Sequence, residues 1–234
     1  MMEEISKDCI ICHEPLLYLQ ESEPLTCQLC GTVHESLVKC KRGHFICDTC
    51  HSGDAISVIE TVCTKTTSPN PMEILELVLR HPKVKLHGPE HHVLVPAAIL
   101  AAVKNSGHDV PMGFMKQVKE RAGKVPGGTC GFWGACGAAV GVGIAIAILT
   151  RSTPKKRDER QVSMQATAQA LETIADGTEQ CCKRASRLAI EVACELLSEE
   201  HQIHLECSKQ EPCRYASSNP RCSKEECNYY ACTG

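Results

Sequence analysis

Three Cys-x-x-Cys pairs crowd the first fifth of the chain, Cys9/Cys12, Cys27/Cys30 and Cys47/Cys50, with Cys40 and His44 between the second and third. Seven thiols and one imidazole make eight soft donors, the number that two tetrahedral zinc ions require. A two-residue gap lets both sulfurs of a pair face one ion while backbone N–H groups face the thiolates. Redox chemistry is the alternative use of such pairs. Farther along, residues 127–150 start as a glycine-rich loop with Cys130, Trp133 and Cys136, then run without charge from 134 to 150. Glycine lets a neighbouring group approach the main chain closely, so this loop reads as a cradle. A glycine- and alanine-rich core helix with two buried thiols is the plainer reading.

The N-terminal donors need elements to hold them. Cys27-Gln-Leu-Cys30-Gly31 is similar to a zinc knuckle, and a hairpin is expected over 32–46, turning at Lys41-Arg42-Gly43. The Cys47/Cys50 pair then opens a helix expected over 48–63. Together these resemble a treble clef, which implies that Cys27, Cys30, Cys47 and Cys50 hold one ion. Cys9, Cys12, Cys40 and His44 then hold the other in a cross-braced arrangement. A sequential pairing, with the first two Cys-x-x-Cys pairs sharing an ion, stays open, and His34 and His51 are spare donors. The run from 40 to 50 also looks like the middle of a RING finger. The last Cys-x-x-Cys of that motif is missing, so ligase activity does not transfer.

The middle of the chain is rich in histidine: His81, His87, His91 and His92, with Glu90. His87-Gly-Pro-Glu90-His91 matches the inverted zinc-protease pattern, but Gly88 and Pro89 keep the two imidazoles off one helix face. The segment reads instead as a loop ending at a helix N-terminus, with Pro89 or Pro96 near its first turn. His87, Glu90, His91 and His92 are then candidate proton carriers or ligands, or else capping and core groups. A linker over 64–71 and a helix over 72–81 precede this segment. After it, Asp109 is expected to cap a helix over 110–122.

Basic residues 151–160 read as an exposed connection, and helices are expected over 161–175 and 179–200. The second opens on Cys181-Cys182. At a helix N-terminus the dipole favours thiolates, so both are candidate metal ligands or reactive thiols. The tail carries Cys207, Cys213, Cys222, Cys227 and Cys232 among Pro, Ser, Asn and Tyr. Little apolar content is available to fold it, so a metal or cluster is expected to order it. The wide spacings suit an iron–sulfur cluster. Cys63, Cys194 and Cys232 have no assigned role.

Cysteine makes up 18 of 234 residues, aromatic residues only 3%, and the net charge is −3. No global field recruits nucleic acid or anionic lipid, and the uncharged run is short for a bilayer span. The sequence starts without a basic, apolar leader, so a reducing cytoplasm and metal-bound thiols are expected rather than disulfides.

The whole resembles a cysteine-rich family of anaerobic microbes catalogued as a domain of unknown function. The residues that carry the likeness are the cysteine–histidine run at 40–51, His87-Gly-Pro-Glu-His-His92 and the loop from Cys130. The last block is also similar to redox-active proteins with a glycine–cysteine–alanine loop and spaced cysteines, though here an extra glycine follows Cys136. That likeness implies a metal–thiol or redox site.

The expectation is therefore a mainly α protein: a small treble-clef or zinc-ribbon-like module over 1–63, a helical domain over 64–206 and a cysteine-rich tail over 207–234. Two structural zinc ions sit in the module. Cys130, Cys136, Cys181, Cys182, Cys207, Cys213, Cys222 and Cys227 converge on one thiolate-rich, iron–sulfur type of site, with His87, Glu90 and His91 handling protons. Expected partners are a small-molecule or protein substrate and a second copy of the chain, with no membrane. The rival is a zinc-dependent adaptor whose surface, at 151–160 with Lys183, Arg184 and Arg187, contacts protein or nucleic acid.

Overall fold

A computed structural model describes residues 9–12, 14–47, 50, 54–207 and 212–230. Among these are eight α-helices and one two-stranded sheet. Strands β1 (Leu16–Thr26) and β2 (Val33–Cys40) pair antiparallel, with Leu16 opposite Cys40 and Thr26 opposite Val33. The hairpin is thus one element earlier than expected. Its turn is the Cys27–Cys30 knuckle itself, and Lys41-Arg42-Gly43 forms a second turn beyond β2. Glycine at 31 and 43 takes φ of +69° and +83°, a left-handed conformation that side-chain-bearing residues rarely adopt.

Helix α1 (Ala55–Lys65) is capped by Asp54, whose carboxylate accepts the Ser57 N–H. Of the helix expected over 48–63, residues 48, 49 and 51–53 lie outside the described residues. Helix α2 (Pro71–Leu79) starts at Asn70, whose side-chain oxygen accepts from Met72 and Glu73. Proline at the first helical position needs no N–H partner there.

The centre of the molecule is α3 (Glu90–Asn105), buried on every face from Glu90 to Val103. It touches α1, α2, α4 (Phe114–Ala122), α6 (Gly137–Leu149) and α8 (Cys182–His201). A helix that is apolar all round must be wrapped by others. Pro96 lies inside it and withholds the N–H that would bond the His92 carbonyl. Helix α4 starts at Gly113 in a left-handed conformation, later than the expected residue 110. Asp109 caps nothing and pairs with Arg151 at 2.8 Å.

Helix α6 packs between α3, α7 (Arg157–Ile174) and α8, and its glycines are the reason it can. A Cβ at Gly137 would stand 2.1 Å from the His92 ring, and one at Gly143 would stand 2.8 Å from the Ser163 carbonyl of α7. Among the described residues no helix is long and apolar enough to cross a membrane.

One expectation about the surface is overturned. Lys183, Arg184 and Arg187 on α8 are 2%, 5% and 2% exposed, so they are interior cations and offer no nucleic-acid contact face. They fall in the helix's inward stripe with Ile190, Ala193 and Leu197.

Candidate metal centre

The N-terminal hairpin gathers two sets of four donors. Cys27, Cys30, Cys47 and Cys50 form one, and Cys9, Cys12, Cys40 and His44 the other; within each, all four ligand atoms lie within 4.8 Å of one another. A zinc ion holds its sulfurs at about 2.3 Å, which sets tetrahedral sulfur–sulfur separations near 3.8 Å. The observed Cys30–Cys47 separation is 3.9 Å and Cys12–Cys40 is 3.4 Å. Both groups could therefore hold a metal ion such as zinc. The two sets interleave along the chain, so the arrangement is cross-braced and not sequential.

Local folding explains each set. In the first, the Gly31 N–H closes onto the Cys27 carbonyl at 2.9 Å, and the Cys47 amide points at the Cys27 sulfur at 3.4 Å. The turn after β2 repeats that geometry in the second: Gly43 N–H meets the Cys40 carbonyl at 2.7 Å, and the Arg42 amide meets the Cys40 sulfur at 3.2 Å. Nδ1 of His44 lies 3.2 Å from the Cys12 sulfur and 3.8 Å from that of Cys9.

Burial dominates the titration of these groups. It raises Cys9 to about 11 and pushes Cys50 above the ordinary thiol range. At Cys30 burial also pushes upward, but hydrogen bonds from the Thr32 hydroxyl and amide prevail and hold it at about 6. Burial, with Arg80 and Arg42 nearby, lowers His44 and keeps its imidazole neutral, the form in which histidine binds metal. Of the spare donors, His34 lies in β2 with no partner for Nε2 among the described residues, and His51 lies outside the described residues.

The thiols of the helical region fall into three places. Cys181 is the N-cap of α8; its sulfur accepts from the Arg184 amide at 3.5 Å and the Asn219 side chain at 3.8 Å, and it lies within electrostatic reach of Cys213. Cys213, Cys222 and Cys227 line the same cavity as Cys181. Cys182 faces elsewhere. It takes the Gly88 N–H and lies in reach of Cys136 and Cys130. Cys207 pairs with Cys194 by a thiol–thiol hydrogen bond at the other end of α8. The expected lowering of the Cys181 and Cys182 pKa by the helix dipole is overturned. Burial outweighs it, raising Cys181 and taking Cys182 to about 11.

The glycine loop is partly open. It contains a short helix, α5 (Thr129–Phe132), and leaves Cys130, Phe132 and Trp133 exposed. Gln180 donates to the Cys130 sulfur at 3.6 Å. Cys136 is the N-cap of α6 and is raised by burial.

The histidine segment meets this loop at the start of α3. Glu90 is buried and accepts the Lys85 N–H at 2.9 Å. A Cβ at Gly88 would stand 2.1 Å from the Glu90 carboxylate, so a larger residue there would push that side chain aside. His91 donates from Nε2 to the Lys85 carbonyl at 3.0 Å and places Nδ1 3.2 Å from the Ser186 hydroxyl. Both nitrogens are thus engaged inside the protein, and burial lowers its pKa to about 3. His92 bonds the Val125 carbonyl at 3.0 Å. His87 Nδ1 is buried with no partner among the described residues.

The interior cations were not legible as part of this region. Arg187 pairs with Glu76 at 2.6 Å and reaches the Cys213 sulfur at 3.6 Å. Lys183 donates to the Leu79 carbonyl at 3.1 Å and lies 4.1 Å from the centre of the Tyr215 ring. Their spacing of four along a helix whose other inward residues are apolar was the available signal.

Residues 59–230 match the model of a family of unknown function, DUF5714. No curated protein and no solved structure matches the chain.

Proposed function

We propose, for a chain that belongs to the DUF5714 family, a metal-dependent redox role in which zinc staples the N-terminal module and thiols of the helical domain carry the chemistry. The observation behind the reading is a division of labour among the cysteines. Eight donors in two four-atom sets account for the N-terminal thiols, and the α8 pair Cys181 and Cys182 faces two further groups of thiols that those sets do not use. Structural metal sites are saturated by protein ligands, so thiols outside the two sets are free for another role. Exposed Cys130 beside Trp133 gives the second group an opening to solvent, and His87 stands next to the Gly88 amide that contacts Cys182.

Anaerobic purification with metal analysis and visible spectroscopy tests this reading. Two zinc ions per chain together with a chromophore that bleaches on reduction is the expected result. A colourless protein that holds zinc alone, with no thiol or metal signal that responds to dithionite, would overturn it in favour of a structural or adaptor role.

A further inference from the structure

Cys181, Cys213, Cys222 and Cys227 line one cavity where the start of α8 meets the C-terminal tail. The cavity itself is narrow, about 20 Å³. Beyond Cys213 and Cys222 lies a wider one of about 570 Å³, which shares both cysteines and Asn219 with the first. Among the described residues no carboxylate lines either cavity.

Positive charge gathers around these thiols. Lys183 is 2% exposed and donates to the carbonyls of Leu79 and Val84 over the face of Tyr215, while Glu76 and Glu90 act on it at electrostatic range without an ion pair among the described residues. Arg187 has Glu76, yet it too turns a nitrogen to the Cys213 sulfur. Cationic and N–H groups thus face the thiols, surroundings that suit a bound anionic group.

Spacing selects the kind of anion. Only the two N-terminal groups bring three or more donor atoms within 4.8 Å of one another among the described residues. These four thiols are therefore spread too widely for a single tetrahedral ion, which draws sulfurs to roughly 3.8 Å. A four-iron cube holds its four thiolates farther apart, on the corners of a larger body.

We propose that Cys181, Cys213, Cys222 and Cys227 hold a four-iron iron–sulfur cluster, with Lys183 and Arg187 as the positive charge facing it. The inference rests on the redox reading above and names its cofactor and ligands. The bound cluster is net anionic, which matches the ammonium and guanidinium groups beside it. N–H groups from Arg184, Asn219 and Arg187 already point at two of the ligand sulfurs, the kind of contact that tunes cluster potential. Cluster ligation also explains how a tail with few buried apolar residues is held: Cys213 is fixed by its N–H to the Tyr229 carbonyl at 2.7 Å, and Ser223 accepts the Glu179 N–H at 3.0 Å.

The test is anaerobic reconstitution of the full chain with ferrous iron and sulfide, read by iron and sulfide content and by electron paramagnetic resonance after reduction. About four iron and four sulfide per chain are expected beside zinc. Cys213→Ser and Cys222→Ser should each lose most of that iron while keeping zinc and helical circular dichroism. Cys130→Ser and Cys136→Ser should keep it. Should one ligand variant fail to fold, the other carries the comparison. Iron lost from the Cys130 and Cys136 variants but retained by the tail variants overturns the proposed location and leaves the redox reading standing. Wild-type protein that takes up no sulfide, or a single ion, overturns the cluster. No redox-responsive signal of any kind overturns both.

Discussion

Stripping metal from the protein should unfold the β1–β2 module and leave the helices standing. The hairpin has almost no core of its own. Apart from cysteines, Ile11 and Leu29 are the only buried hydrophobic residues among the described residues between 9 and 47, while Leu17, Tyr18, Val33 and Leu37 are exposed. Ordering strands of 11 and 8 residues costs on the order of 20–40 kcal/mol at about 1–2 kcal/mol per residue. Burying Ile11 and Leu29 contributes about 3–6 kcal/mol, and the ladder's hydrogen bonds largely replace bonds to water. Two bound ions of the structural-zinc kind, at roughly 10–16 kcal/mol each, would supply the difference. Without them, burial of Ile11 and Leu29 and the half-buried contacts of Phe45 and Ile46 with the main core fall short of its chain entropy.

Hydrogen exchange read by mass spectrometry, on metal-replete protein and on protein stripped by a strong chelator under reducing conditions, measures this directly. Peptides from residues 16–40 should exchange completely within the dead time once metal is gone. Peptides from α3 should stay protected, because its burial is supplied by α1, α2, α4, α6 and α8. Protection of β1 and β2 that survives verified removal of both ions would refute the reasoning, since it would reveal a stabilising term the hairpin does not display.

Three other outcomes follow from the helical core. Gly143→Val should lower stability by about 1–3 kcal/mol, because its Cβ would stand 2.8 Å from a backbone carbonyl that cannot rotate away; unchanged thermal unfolding would show that α6 and α7 separate freely. Glu76→Ala should cost roughly 3–5 kcal/mol by leaving the buried Arg187 guanidinium without its carboxylate, measured by urea denaturation, and Glu76→Ala with Arg187→Met should recover part of that loss. The His91 imidazole should show a flat NMR titration between pH 5 and 8. Its folded pKa of about 3 lies below the ordinary 6.5, so the unfolded chain binds the proton first; its contribution to stability is full above pH 6.5 and fades as pH falls toward 3.

Each Cys-x-x-Cys pair was legible because its turn places two sulfurs on one ion whatever surrounds it, whereas spacing left cross-braced and sequential sharing open and only the treble-clef likeness favoured the sets observed. The hairpin was misplaced by one element, since both cysteine turns contain a glycine and either could close it. Strand pairing decided, and pairing is a tertiary matter that alternation in the sequence does not reveal. Helix α3 could be read from its run of apolar residues, and of the two prolines that could stand at its start, Pro89 is the N-cap while Pro96 lies inside the helix. Lys183 and Arg187 were misread as surface because charge in a sequence predicts exposure, a prior stronger than the one local signal, their spacing of four on the apolar stripe.

Cys181 and Cys182 show why neighbours in sequence need not share a site. One is an N-cap with extended backbone, φ −145° and ψ 105°, and the next is the first helical residue. Successive helical positions diverge by about 100°, and the change of backbone at the cap adds to that divergence. The two sulfurs therefore leave the chain toward different partners, the tail thiols for Cys181 and the glycine loop for Cys182. A single centre fed by both would require one of them to abandon hydrogen bonds it already has, from Arg184 and Asn219 in one case and from Gly88 in the other. Two centres placed back to back across the first turn of α8 keep every one of those contacts. That arrangement would put a buried tail cluster within one helix turn of the thiols on the open loop, a short path from an interior cofactor to a group that solvent can reach.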